Sequence, residues 1–150
     1  MPQSAMQVDF YQLTRDPAQY VLPLIANKVL GEGRRLLIVS NDAEQLKTIS
    51  TALWAWKPDS FLAHDLAGHG NEAQQPILLS HTTAAENSAR LVAMADGEWR
   101  DEALTFDRAF YLFPPDCTDQ AREAWRGLKD KDGVERRYWK QDGGKWKQGP

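Results

Sequence analysis

The run Leu36-Leu37-Ile38-Val39 constrains this chain more than any other segment. Four consecutive apolar residues leave no polar face, so a strand built from them must be covered on both sides, as interior strands of a parallel sheet are. Parallel strands need crossover connections, and helical spacing stands on both sides of the run. Upstream, Asp16-Pro17 opens an expected helix that reaches Leu30, with Pro23 near its first turn and Gly31 and Gly33 closing it. Alternation in Val8, Phe10 and Leu13, with Tyr11 between them, predicts a strand before that helix. Downstream, Asn41 and Glu44 fit an N-cap and its capping-box partner, and Leu46, Ile49, Leu53 and Trp54 carry helical spacing to about Trp56.

Beyond this βαβα start, Pro58, Asp59, Gly68, Gly70 and Asn71 mark an irregular stretch in which Ser60-Phe61-Leu62 is the one plausible short strand. Ile77–Ser80, Ala89–Ala95 and Arg108–Phe113 read as strands, the last stopped by Pro114-Pro115. Thr118 can cap a helix from Asp119 to about Lys129, and Val134–Trp139 suits a final strand or hairpin arm. This order predicts a single-domain, three-layer Rossmann-like α/β fold with a mostly parallel sheet, ending in a basic, flexible tail over 141–150.

Several chemistries lack their residues. A nucleotide cradle needs a Gly-rich turn between a strand and a helix, whereas Leu36–Ser40 leads into Asn41-Asp42-Ala43, so no cofactor is expected. His64, His69 and His81 with Asp65 have no metal-ligand spacing. Cys117 reads as a small buried filler, and Asp96, Glu98, Asp101 and Glu102 as a solvated acidic group. One cysteine excludes an internal disulfide, the start Met1–Met6 is polar, and no apolar run approaches the roughly 20 residues that span a bilayer. The expectation is a non-catalytic cytoplasmic protein with no membrane partner.

Charge is segregated instead. The last 29 residues hold nine of the 18 Lys and Arg but five of the 21 Asp and Glu, a net +4 against −7 on the first 121. Trp125, Tyr138, Trp139 and Trp146 stand among those bases. On the expected late helix, Ala121, Ala124 and Leu128 share one side, Arg122, Arg126 and Lys129 the opposite side, and Trp125 the border. An indole beside guanidinium groups offers a site for a peptide ending in a hydrophobic side chain and a free carboxylate. Single-stranded DNA, stacked on Trp125, Trp139 or Trp146, is the alternative ligand. A second cluster, Trp54, Phe61 and Leu62, either closes the core or forms an apolar patch that a partner subunit covers.

These segments resemble a known family, the chi subunit of bacterial DNA polymerase III holoenzyme. The resemblance is carried by Phe10-Tyr11-Gln12-Leu13, by Leu36–Ser40 with Asn41-Asp42, and by Ala52-Leu53-Trp54 followed by Ser60-Phe61-Leu62-Ala63-His64. Leu66-Ala67-Gly68, Ala121-Arg122-Glu123 with Trp125-Arg126, and the basic end with its Trp146-Lys147 pair complete it. It implies a non-catalytic accessory protein that links psi, a clamp-loader component, to the acidic C-terminal tail of single-stranded DNA-binding protein, and so touches single-stranded DNA indirectly. By position it implies that Arg122, Trp125 and Arg126 bind the tail, while Trp54 and Phe61 face psi. It also implies association with an XPD-like helicase through the psi-facing region, which leaves a helicase-associated DNA repair adaptor as a second role. The best-known members carry a lysine one turn before Arg122 where this chain has Thr118, so the pocket is expected to draw on Arg126, Lys129 or the late basic residues.

Overall fold

The expected βαβα start is present as β1 (Met6–Gln12), α1 (Ala18–Gly31), β2 (Leu36–Val39) and α2 (Ala43–Ala55). The computed structural model describes residues 6–14, 17–56, 64–142 and 145–148. Short strands β3 (His64–Leu66), β4 (Ile77–Ser80) and β5 (Leu91–Met94) follow, then β6 (Arg108–Phe113), α3 (Thr118–Leu128), β7 (Val134–Asp142) and β8 (Lys145–Gln148). They form one sheet in the order β3-β4-β2-β5-β6-β1-β7-β8, parallel throughout except for the β7–β8 pair. The mostly parallel α/β prediction therefore holds.

The apolar run behaves as its composition requires. β2 lies between β4 and β5, and all four of its residues are buried. Because side chains alternate across a strand, Leu36 and Ile38 join the core under α1 and α2, while Leu37 and Val39 join the core on the opposite face. That second face is covered by α3, through Ala121 and Leu128, and by Trp99, Ala103 and Phe106 from the segment before β6. Since β6 and β7 flank β1 in the sheet, the β6–α3–β7 crossover carries α3 over β1. This one topological fact positions the site.

Local readings needed correction. Asp42 rather than Asn41 caps α2, its carboxylate accepting from the N–H groups of Glu44 and Gln45 at 3.0 and 3.3 Å. Asn41 is drawn elsewhere, its N–H donating to Asp96 at 2.8 Å and its side-chain amide contacting Glu98. Pro23 lies inside α1, in its second turn, and is buried. Thr118 does not cap α3; its hydroxyl donates back to the Pro115 carbonyl at 2.8 Å, and Cys117 takes the cap position. The strand read over Ala89–Ala95 shortens to Leu91–Met94, and the one proposed at Ser60-Phe61-Leu62 lies outside the described residues. Lys145–Gln148, within the span read as a tail, forms β8.

Gly97 anchors the turn that follows β5. Its φ is +79°, and a Cβ there would stand 2.6 Å from Cys117 Sγ and 3.0 Å from Pro114 Cδ. Its carbonyl accepts the buried Tyr111 hydroxyl at 2.7 Å. Both the backbone angle and the close approach require glycine.

Candidate functional site

The β7 flank of α3 gathers the aromatic and basic residues. Trp125 is half-buried over β1, edge-on to Phe10 with ring centroids 5.2 Å apart and to Tyr138 at 5.7 Å. Arg136 of β7 lays its guanidinium carbon 4.0 Å from the Trp125 ring centroid and donates to the Trp125 carbonyl. The indole is thus a wall of the site, with Arg136 over its face, rather than a fully open platform. Burial holds the Tyr138 phenol above its usual pKa, and the charge of Arg122 opposes that shift. The Tyr138 hydroxyl is tied to Gln12 of β1.

Arg122, Arg126 and Lys129 are exposed along the same helix. Elsewhere the chain spends its arginines on partners. Arg34, Arg90, Arg100, Arg108 and Arg137 form ion pairs with carboxylates, and Arg35 and Arg136 donate to backbone carbonyls. Among the described residues the Arg122 and Arg126 side chains make no hydrogen bond or ion pair. Two unengaged guanidinium groups next to an aromatic wall can accept a carboxylate with paired hydrogen bonds. The other flank of α3 differs: Gln120, Glu123, Ala124 and Gly127 line a groove of about 290 Å³ against Trp99 and Asp101.

Trp139 and Trp146 are on the opposite face of the sheet. Trp139 stacks near Tyr11 at 6.5 Å and its indole N–H donates to Asp9 at 3.3 Å, while Trp146 stands edge-on to Tyr11 at 5.1 Å. Asp9 is fully buried and receives Arg108 through two contacts of 2.6 and 2.7 Å. Burial, with help from Asp9 and against the charge of Arg108, pushes the Tyr11 phenol up to about 12. This network pins β7 to β1 and β6, so Trp139 and Trp146 serve as packing for the hairpin. They are not brought together with Trp125.

Trp54, the other sequence-selected aromatic, is 53% exposed at the end of α2, its ring 4.4 Å from that of His64. It points away from the core that Leu46, Ile49 and Leu53 enter, so the core reading fails for Trp54 itself. Phe61 and Leu62 lie outside the described residues.

The remaining candidates have structural partners. His64 contacts the Ser50 hydroxyl at 2.8 Å and His69 contacts Asp65 at 2.6 Å, and the described residues hold no group of three potential metal ligands. Asp96 is not a solvated acid. Burial pushes its pKa up, but hydrogen bonds from Arg100, Asn41 and Glu98 and the Arg100 charge outweigh it, so the carboxyl sits below its usual value. Burial and the charges of Asp116, Asp96 and Glu98 raise the Cys117 thiol, which disfavours the thiolate a nucleophile needs. At the carboxyl edge of the sheet, where α/β folds commonly bind ligands, a cleft of about 630 Å³ opens between α1 and α2. Asp42, Asp96 and Glu98 line it, which repels a phosphate.

The family model described as DNA polymerase III chi subunit, HolC, matches residues 6–135. This chain belongs to the chi family. Chi is a subunit of DNA polymerase III, which gives the chain a replication accessory role. DNA polymerase III subunit chi of Escherichia coli (strain K12) is 34% identical over 100 residues, spanning 65% of this chain and 68% of that protein. The chi match covers β1 through α3 and stops at the start of β7, so Arg136, Tyr138 and Lys140 lie past it. No helix among the described residues is long and apolar enough to cross a membrane.

Sequence reasoning chose Arg122, Trp125, Arg126 and Lys129 from helical spacing and left Arg136 to Trp146 open, either flanking the same pocket or forming a solvated edge hairpin. A signal for them existed: Arg136, Tyr138 and Lys140 recur at every second residue of one strand and so share a face.

Proposed function

We propose that this chi-family chain is a non-catalytic adaptor whose α3 flank captures the acidic C-terminal tail of single-stranded DNA-binding protein. The observation that carries the reading is the pair of exposed guanidinium groups without side-chain partners, Arg122 and Arg126, on the helix whose Trp125 packs edge-on against Tyr138. The terminal carboxylate pairs with Arg122 or Arg126, Lys129 adds positive field, and the last apolar side chain lies against the edges of Trp125 and Tyr138. So small a contact supports about micromolar affinity. On the far side of the sheet, the exposed Trp54 belongs to the docking surface for psi or for an XPD-like helicase; Phe61 and Leu62, outside the described residues, are assigned to it from the sequence alone. Single-stranded DNA is reached indirectly, in the cytoplasm, through the tail.

Titration of a fluorescent tail peptide tests the central claim. Arg126→Ala should weaken binding by about tenfold, the loss of one charged hydrogen-bonding partner. Equal binding by wild type and variant, or none by wild type, sinks the assignment. Oligo-dT binding at low salt that Arg126→Ala abolishes, without any peptide binding, would assign the flank to nucleic acid directly.

A further inference from the structure

The second flank of α3 differs from the basic one in both shape and charge. At about 100° per residue, Gln120, Glu123, Ala124 and Gly127 turn away from the side of Arg122 and Lys129. They face the segment between β5 and β6, and the groove of about 290 Å³ lies between the two. Its floor is apolar, built from the buried Leu128 and the half-buried Ala124 and Trp99. Trp99 is already held in place. Its ring lies near-parallel to Phe10 with centroids 6.2 Å apart and edge-on to Tyr111 at 5.4 Å, and its N–H donates to Asp101 at 2.8 Å. A fixed indole with its polar atom satisfied offers a ligand apolar surface at little ordering cost.

The rim is acidic. Asp101 and Glu123 line the groove, Glu102 follows Asp101, and Asp116 and Asp119 stand at the start of α3; all five are exposed, and none forms an ion pair among the described residues. Lys131 is the one base among the lining residues. The helix dipole accounts for Asp116 and Asp119, but not for Glu123 in the middle of α3 or for Glu102. Gly127 breaks a second rule at the same place, since glycine inside a helix is less stable than alanine. Its φ is not positive, and an added Cβ would meet nothing within 4 Å. Neither its backbone angle nor any neighbour in the chain calls for glycine, so what its missing side chain provides is open space over the groove. A local rule broken without an internal gain marks a functional position.

We infer that this groove docks a basic peptide segment of a partner protein, which sets one large apolar side chain against Trp99, Ala124 and Leu128, over the bare backbone of Gly127, and its lysines or arginines against Asp101 and Glu123. Charge complementarity selects the occupant. The acidic rim repels nucleic acid and acidic peptides and attracts a cationic segment, while the apolar floor anchors it. The inference does not depend on tail capture, because it uses neither Arg122 nor Arg126. With a single anchor the contact is small and supports about micromolar affinity.

The test uses the full chain and three fluorescent peptides of equal length. One has lysines on both sides of a central pair of leucines, the second has serines in place of the leucines, and the third has glutamates in place of the lysines. Wild type should bind the lysine–leucine peptide about tenfold more tightly than either control. Gly127→Leu keeps every charge and improves helix propensity, so it should melt about 2–3 °C above wild type, yet the leucine fills the groove and should weaken lysine–leucine binding by about tenfold or more. Asp101→Asn/Glu123→Gln should weaken it by about fivefold, the sum of two part-exposed ion pairs. Equal binding of the lysine–leucine peptide by wild type and Gly127→Leu overturns the inference, as does equal binding of the leucine and serine peptides by wild type, or no binding at all. A wild-type dimer in sedimentation that Gly127→Leu makes monomeric assigns the groove to a second copy of this chain and overturns the peptide docking.

Discussion

Trp125→Ala removes the wall on which the site is built. The substitution deletes the ring under Arg136, at 4.0 Å, and the edge-to-face contacts to Phe10 and Tyr138, at 5.2 and 5.7 Å. Truncating a well-buried Trp or Phe costs about 3–5 kcal/mol, and the half-burial of Trp125 reduces the expectation to about 2–3 kcal/mol. The cation–π part is about 0.5–1 kcal/mol for a part-exposed guanidinium. It can be isolated, because Arg136 also donates to the Trp125 backbone carbonyl, and that acceptor survives truncation. Urea unfolding of wild type, Trp125→Ala, Arg136→Ala and the double variant, followed by far-UV circular dichroism, should return a coupling of about 0.5–1 kcal/mol. Trp125→Phe should keep most of the stability, since an aromatic edge remains for Tyr138. A loss below about 1 kcal/mol for Trp125→Ala, ordinary for surface positions, or zero coupling to Arg136, refutes the wall.

Two further perturbations probe the frame around the helix. Gly97→Ala should destabilise by about 2–4 kcal/mol, combining a left-handed backbone angle with a contact of 2.6 Å to Cys117 Sγ; adding Cys117→Ala should recover only the part due to the Sγ contact, since the approach to Pro114 Cδ remains, and full recovery would show that the backbone angle costs nothing. Asp96 has a carboxyl pKa below its unfolded value of about 3.9, so its contribution is present above that pH and is lost as pH falls through the lower folded value. The stability gap between wild type and Asp96→Asn should accordingly be wider at pH 7 than at pH 3 in urea titrations, and a gap independent of pH would contradict the linkage.

Sequence reasoning placed most elements because each is written in a short window. The run Leu36–Val39 has no polar face in any conformation, and the opposed sides of α3 follow from residue spacing alone. Errors came where near-equivalent local partners compete. Asn41 and Asp42 are both good cap residues, and the choice was made by Asp96 and Glu98, more than 50 residues away, which claim Asn41. Thr118 was likewise a good cap by type, but the turn from Pro115 draws its hydroxyl backwards.

The sequence by itself determined a parallel α/β domain, a basic flank on its last helix and an accumulation of charge at its end. Helical and strand periods are properties of a few neighbouring residues, so they survive without knowledge of the rest. Only the tertiary structure decided what stands beside that flank. Strand order is a non-local choice, and placing β1 between β6 and β7 sends α3 across Phe10 and sets Arg136 against Trp125. The same pairing turned Trp139 and Trp146 to the other face, where Tyr11 and Asp9 hold them. Spacing assigns a residue to a side of its own element; the packing of distant elements decides what that side meets.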